Sequence, residues 1–403
     1  MDPLHFLPTW PPSWSPLAWI ALLLLAAILA GEAVRRFLRL SRIIGYLAVG
    51  VLLGPVAAGA IDRGTVSQLG IFVDIAIGLL LFELGQRVDL HWLRRNPSLL
   101  AASVLEALLT FLLVYLTMTS WFSIRPVSAA AAALIAVATS PAVVMTVVKD
   151  LRAQGQVTER ATLLTALNTA YAVVGLSLII GWLHFETHRP LATMVLHPLY
   201  LTAASLLLAA VLAIVMLSLL RLFGRRPAFQ FSTTVALVLV TVAVATMLKL
   251  SVPLALLLLG VLGRHFDRER HFVSLRFGES AMLFTVLLFA LAGAGLDFTG
   301  WAGALPLALA FVAARAVGKA VPILVLSHAS GLGLGKSSLV VVALLPMSAF
   351  ALLMLQELVR IAPPVAEEIG PAIYLSIALL AFAGPVATEF ALRRAGEAAE
   401  ETR

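Results

Sequence analysis

The sequence predicts an all-α integral membrane protein of thirteen transmembrane helices arranged as an inverted repeat. Three observations carry that expectation. Of the 403 residues, 61% are hydrophobic and only 12% charged, against roughly a quarter charged in a soluble domain; the mean hydropathy is +1.02. The apolar residues gather into runs close to the ~20 residues that span a hydrocarbon core. The basic residues fall in short blocks between those runs, so the net charge of +7 reads as a topology signal, not a nucleic-acid footprint.

In chain order, with edges open by a few residues, the runs are 17–34, 43–61, 66–86, 98–121, 126–148, 161–184, 193–222, 230–248, 251–266, 277–296, 301–327, 337–359 and 370–392. The seventh is long enough to tilt or run into the interface, and the ninth is short. With the N-terminus outside and loops assigned alternately, the inner loops hold 21 Lys and Arg and the outer loops 5 (Arg63, Arg125, Arg189, Lys249 and Arg360). The two remaining cations, Arg315 and Lys319, lie inside the eleventh run. Losing or merging a run would scramble this bias, which predicts a cytoplasmic C-terminus. The tryptophans mostly flank the runs, as an aromatic belt should.

An odd count permits two six-helix halves of opposite orientation plus one extra helix. The fifth run breaks at Thr139-Ser140-Pro141, and the twelfth has Pro346 within Leu345-Pro346-Met347-Ser348. Seven runs apart, the two cross the membrane in opposite directions. Paired interruptions in corresponding segments point to an inverted-repeat transporter and its substrate site; the plainer alternative is two ordinary proline kinks. Each break also carries small polar neighbours that can satisfy freed backbone groups.

Several classes are excluded. With no cysteine there are no disulfides, thiolate metal sites or thiol catalysis. Residues Met1 to Ser15 hold no Lys or Arg, so they lack the charged start of a signal peptide. The eight histidines sit in loops or near run ends without metal spacing, and no nucleotide-binding glycine loop or enzyme constellation is present. The sequence thus implies no cofactor, no catalytic residue and no nucleic-acid partner.

Gly45-Tyr46-Leu47-Ala48-Val49-Gly50-Val51-Leu52-Leu53-Gly54-Pro55 resembles the second-helix signature of the cation:proton antiporter superfamily, particularly its Kef-type and Nha-type sodium or potassium:proton antiporters. Asp74 through Gly85 is similar to that superfamily's next helix, Ala138-Thr139-Ser140-Pro141 to its unwound helix, and Glu159 through Val174 to the carboxylate-bearing helix that follows. Gly293 to Asp297, Arg315-Ala316-Val317-Gly318-Lys319 and Ser348-Ala349-Phe350-Ala351 resemble the later helices. Each motif is weak alone; their order and topology are specific. The resemblance implies an Nha-type fold with two crossed, unwound helices and ions bound between them. It further implies a homodimer in a bacterial inner membrane and elevator-type alternating access. One transmembrane domain would cover 1–403, with core helices about 66–184 and 277–392 and the others mainly for dimerisation. The chain ends about ten residues after the last run, so no soluble regulatory domain is expected to follow.

The sequence departs from that pattern at the centre. Asn168-Thr169 stands where the superfamily has a pair ending in Asp, Leu164 where many members have Glu, and Ser140 where many have an acid in the unwound helix. Thr139, Ser140, Asn168, Thr169 and Ser348, with carbonyls freed at Pro141 and Pro346, supply oxygens for Na⁺ or K⁺. They cannot carry a proton at ordinary pH, so proton coupling needs another group. Candidates are Glu106, roughly 12 Å deep at ~1.5 Å per residue, with Asp74 and Glu83, and further Glu279 and Lys319. Intramembrane charges suggest function, although Asp74, Glu83 and Glu279 also read as structural pairs or helix-end groups. Arg315 does not deprotonate in proteins. It shares one helix face with Lys319, and the two are expected to face the core as compensating charges. Glu106, Asp74 or a bound anion could partner Arg315. Three functions therefore stay open: a monovalent cation:proton antiporter with a relocated proton carrier, a carrier of a small organic anion on the same fold, and a non-transporting membrane sensor or assembly subunit.

Overall fold

The structure is a computed structural model describing residues 16–38, 40–55, 57–61, 64, 69–186, 191–223, 227–267, 279–296 and 300–399. Asp297, the side chain of Glu279 and several loop arginines (Arg39, Arg63, Arg189, Arg225, Arg226, Arg268, Arg270, Arg276 and Arg403) lie outside that description. Among the described residues the chain is helical, without a strand. The helices are α1 (Pro16–Ala33, running into a π-turn at Val34–Leu38), α2 (Arg42–Leu53), α3 (Gly70–Arg87), α4 (Leu90–Arg95), α5 (Pro97–Phe122), α6 (Pro126–Val137), α7 (Pro141–Asp150) and α8 (Gln156–Glu186). They continue with α9 (Leu191–Phe223), α10 (Pro227–Met247), α11 (Val252–Phe266), α12 (Glu279–Ala294), α13 (Trp301–Val325), α14 (Leu334–Ala343), α15 (Ala349–Ile361) and α16 (Pro363–Arg394).

Each of the thirteen apolar runs contains helix. By length and composition, 8 helical stretches among the described residues are able to cross a membrane, while α2, α11, α14 and the Leu283–Ala294 part of α12 are shorter apolar helices. The chain is a multi-pass membrane protein. The fifth and twelfth runs each form two helices, α6–α7 and α14–α15, parted at 138–140 and 344–348. Proline sets where the second half of the fifth run begins. Pro141 occupies the first turn of α7, where its missing N–H costs nothing. Ser140 caps that turn by accepting the Val143 N–H at 3.3 Å.

The helices pack in two groups. In one, α5 lies chiefly along α13 and then α6, and α16 packs on α13, α14 and α15. In the other, α2 lies along α12 and α1, and α3 along α11, which also carries α9. If α9 is the extra helix, a shift of seven segments turns the α2–α12 contact into the α3–α11 contact and maps α5–α13 onto itself. The packing thus has the symmetry of an inverted repeat. Glycines set all three crossings, because small residues let membrane helices approach closely. A Cβ on Gly50 would lie 1.9 Å from the Ala290 carbonyl oxygen, and one on Gly293 2.4 Å from that of Leu47. The symmetry-related pair behaves alike, with Gly85 at 2.2 Å from the Leu257 oxygen and Gly260 at 2.1 Å from that of Phe82. At the self-mapping crossing, a Cβ on Gly318 would meet the Thr110 Cα at 2.4 Å.

Candidate functional site

Two helices end and two begin where the interrupted segments cross. The C-terminal ends of α6 and α14 and the N-terminal ends of α7 and α15 meet there, all buried. The breaks bond directly to each other. Ser140 N–H donates to the Pro346 carbonyl at 3.0 Å, and the Ser140 and Ser348 hydroxyls share a 2.6 Å hydrogen bond. Thr139 Oγ1 donates to the Leu344 carbonyl at 3.3 Å and accepts from Asn168 Nδ2 at 3.4 Å. The side chain of α8 that was expected to face the break therefore does so, through its amide nitrogen.

Two buried cations from α13 brace the crossing. Arg315, 1% exposed, donates to the carbonyls of Ala138 at 2.8 Å and Leu345 at 2.9 Å, with longer 3.4 Å contacts to Leu344 and Pro346. These carbonyls have lost their helical partners at the breaks, and an arginine fork satisfies several at once. Of the protein groups that could partner Arg315, neither the Glu106 nor the Asp74 carboxylate is bonded to it: its protein partners are backbone oxygens of both breaks. One turn on, Lys319 donates to Glu106 Oε1 at 2.5 Å and to the Val137 carbonyl at 3.0 Å. Lys319 and Glu106 are both fully buried. Both cations sit at C-terminal helix ends, where the helix dipole favours positive charge.

Buried polar atoms without a protein partner mark where a ligand can bind. Near the crossing these are Glu106 Oε2, Asn168 Oδ1, Thr110 Oγ1 and Arg315 Nε. Two are carboxylate or amide oxygens suited to a cation, and one of those can also take a proton. Thr169, by contrast, spends its hydroxyl on the Thr165 carbonyl at 2.8 Å, the back-bonding usual for threonine inside a helix.

The structure thus brings together Thr139, Ser140, Pro141, Asn168, Pro346, Ser348, Arg315, Lys319 and Glu106. Asp74 is elsewhere, exposed on α3. Glu83 forms ion pairs with Lys149 and, at 4.0 Å, with Arg87. Sequence reasoning missed Ser103 and Thr110, which flank Glu106 on the same face of α5. The signal was present in their spacing, since residues three and four apart on a helix are neighbours.

Comparison with solved structures places the architecture. The sodium proton antiporter MjNhaP1 from Methanocaldococcus jannaschii, in a structure at pH 8, superposes with a TM-score of 0.68 at 17% identity, covering 94% of this chain and 95% of that one. Its electron-microscopy structure gives 0.73 at 16% identity over 96% and 99%. The fold is therefore that of MjNhaP1. No protein of curated function matches the sequence. The chain belongs to the transmembrane sodium/hydrogen exchanger family, whose model matches residues 20–394. That is a family of cation:proton transporters, not of enzymes, and it is the superfamily that the motifs resembled.

Proposed function

We propose that this protein is a monovalent cation:proton antiporter in which Glu106 on α5, held by Lys319, replaces the missing sixth-helix aspartate. The observation that carries the reading is the Glu106 carboxylate itself. It is buried beside the crossing, with Oε1 on Lys319 and Oε2 without a partner. A proton arriving on Oε2 and a dehydrated cation drawn to the same carboxylate would exclude each other, which is how one site couples two ions. Asn168 Oδ1, Thr139, Ser140 and Ser348 supply neutral oxygens for Na⁺ or K⁺, whereas Arg315 keeps the breaks crossed. Family membership supports cation:proton exchange, and the likeness of fold to a sodium proton antiporter, MjNhaP1, makes Na⁺ the first ion to try.

For alternating access we assign α5–α8 and α13–α16 to the moving unit. The group containing α1–α3 and α9–α12 serves as the scaffold and homodimer contact in a bacterial inner membrane, with the N-terminus outside. This division follows the packing, in which α3 lies chiefly on α11 and α12 chiefly on α2. A small organic anion is the second reading, favoured by two buried cations facing one buried acid. It is weaker because the guanidinium nitrogens of Arg315 are engaged on carbonyls, leaving only Nε open.

The test is reconstitution in proteoliposomes carrying an internal pH dye. Na⁺, K⁺ or Li⁺ added against a proton gradient should dissipate it in the wild type and not in Glu106→Gln. A Glu106→Gln variant that exchanges at the wild-type rate defeats the assignment, and no response to any of the three cations defeats antiport.

A further inference from the structure

Glu106 is fully buried, so a proton reaching it needs a route from water. Toward Thr110, α5 and α13 are closely packed. There Thr110, one turn along α5, is covered by Gly318 of α13 so closely that no Cβ would fit. On the other side, Ser103 lies three residues before Glu106 and therefore on the same helix face. Ser103 is fully buried, and its hydroxyl donates to Tyr171 Oη on α8 at 3.2 Å. Tyr171 is only half-buried. It is also one turn from Asn168, so the bond ties α5 to the helix that faces the break.

We infer that Ser103 and Tyr171 form a hydroxyl relay that carries protons between the aqueous side and Glu106 Oε2. This rests on Glu106 being the proton carrier. In loading, a hydronium gives its proton to Tyr171 Oη while the phenolic proton of Tyr171 passes to Ser103 Oγ. The Ser103 hydroxyl, which is not bonded to Glu106 Oε2 in this structure, then turns to the carboxylate and passes its proton to it. One water, two intact hydroxyls and a neutral carboxyl remain, and no bond other than O–H is made or broken. Unloading runs the same steps backwards, in the direction of the Ser103-to-Tyr171 hydrogen bond in this structure. The hydroxyls reset by rotation. Both are suited to the task, because a hydroxyl donates and accepts at once. Neither contributes to the Arg315 brace or to the oxygens at the break, so their part is proton delivery and not cation binding.

The experiment compares Ser103→Ala, Tyr171→Phe, Tyr171→His and Glu106→Gln with wild type in dye-loaded proteoliposomes, in H₂O and D₂O. Tyr171→Phe keeps the ring and its packing. It should slow exchange by about tenfold or more, on the low side of what a positioned proton-transfer group contributes, and enlarge the solvent isotope effect. The cation concentration for half-maximal rate should not change, and Ser103→Ala should behave alike. Tyr171→His, which restores a group able to relay a proton, should recover most of the rate. Wild-type rates in both Ser103→Ala and Tyr171→Phe, with Glu106→Gln inactive, would overturn the relay and leave Glu106 in place. Slowing that comes with a weaker cation affinity and no recovery in Tyr171→His would overturn it too, as a packing effect. An active Glu106→Gln would instead overturn the carrier assignment beneath it.

Discussion

Removing one partner of the Lys319–Glu106 pair should destabilise the protein far more than removing both. The nitrogen-to-oxygen distance is 2.5 Å and neither side chain is exposed. At an effective dielectric near 20, two unit charges that close attract by about 7 kcal/mol. Desolvation costs several kcal/mol per ion and offsets most of that. The pair therefore contributes little net stability against an apolar isostere, but a lone survivor is left charged and uncompensated. Glu106→Leu and Lys319→Met are each expected to cost about 3–5 kcal/mol alone, whereas the two combined should fall within roughly 2 kcal/mol of wild type. The interaction energy of the cycle would then exceed about 3 kcal/mol, at the top of the range for directly contacting residues. Reversible unfolding in mixed micelles, followed by fluorescence of the seven tryptophans, measures it. Single substitutions below about 1 kcal/mol, or a double variant as unstable as the sum of the singles, would show that the two are not a buried pair.

Three further outcomes follow from the same geometry. Arg315→Lys keeps the charge but cannot span the Ala138 and Leu345 carbonyls, so exchange should collapse while the variant still inserts; wild-type exchange would refute the bracing role. Gly318→Ala should cost about 1–3 kcal/mol or fail to assemble because its Cβ meets Thr110 backbone, whereas Gly303→Ala, with nothing within 4 Å, should be silent in the same unfolding assay. The ion pairs Arg35–Glu389 and Glu83–Lys149 join the two helix groups with opposite polarity. Glu83→Lys should therefore change the exchange rate and Glu83→Lys with Lys149→Glu should return it; a double variant no better than the single would show that this contact has no bearing on the motion.

Much of this architecture was legible in the residues because its punctuation is proline and charge. Pro141 and Pro346 mark the breaks only together with their small polar neighbours, since α13 runs on through Pro306 and Pro322 and α16 through Pro371 and Pro385. Arg315 and Lys319 had to face inward, because lipid tolerates neither. What the sequence could not settle was which of these two cations would take Glu106. They lie four residues apart on one face, and only the crossing of α5 over α13 at Thr110 and Gly318 sets the height at which Glu106 meets them. That height matches it to Lys319 and leaves Arg315 to the carbonyls. Thr169 was read as a ligand from its place beside Asn168; its hydroxyl proton goes to the carbonyl one turn back, a local bond that the sequence does not reveal and that leaves its oxygen able to accept. Asp74 and Glu83 stayed candidates behind Glu106, with a structural reading favoured for both, because depth along a segment says nothing of which face a side chain takes.

The most direct measurement of the central claim is cation-induced proton release from purified protein in lightly buffered detergent. Adding Na⁺ or K⁺ to the wild type should release protons, and Glu106→Gln should release none. Placing a carboxylate back on α8 with Thr169→Asp in the Glu106→Gln background should restore release. Release that is undiminished in Glu106→Gln would contradict the account, because the exchangeable proton would then reside on some other group.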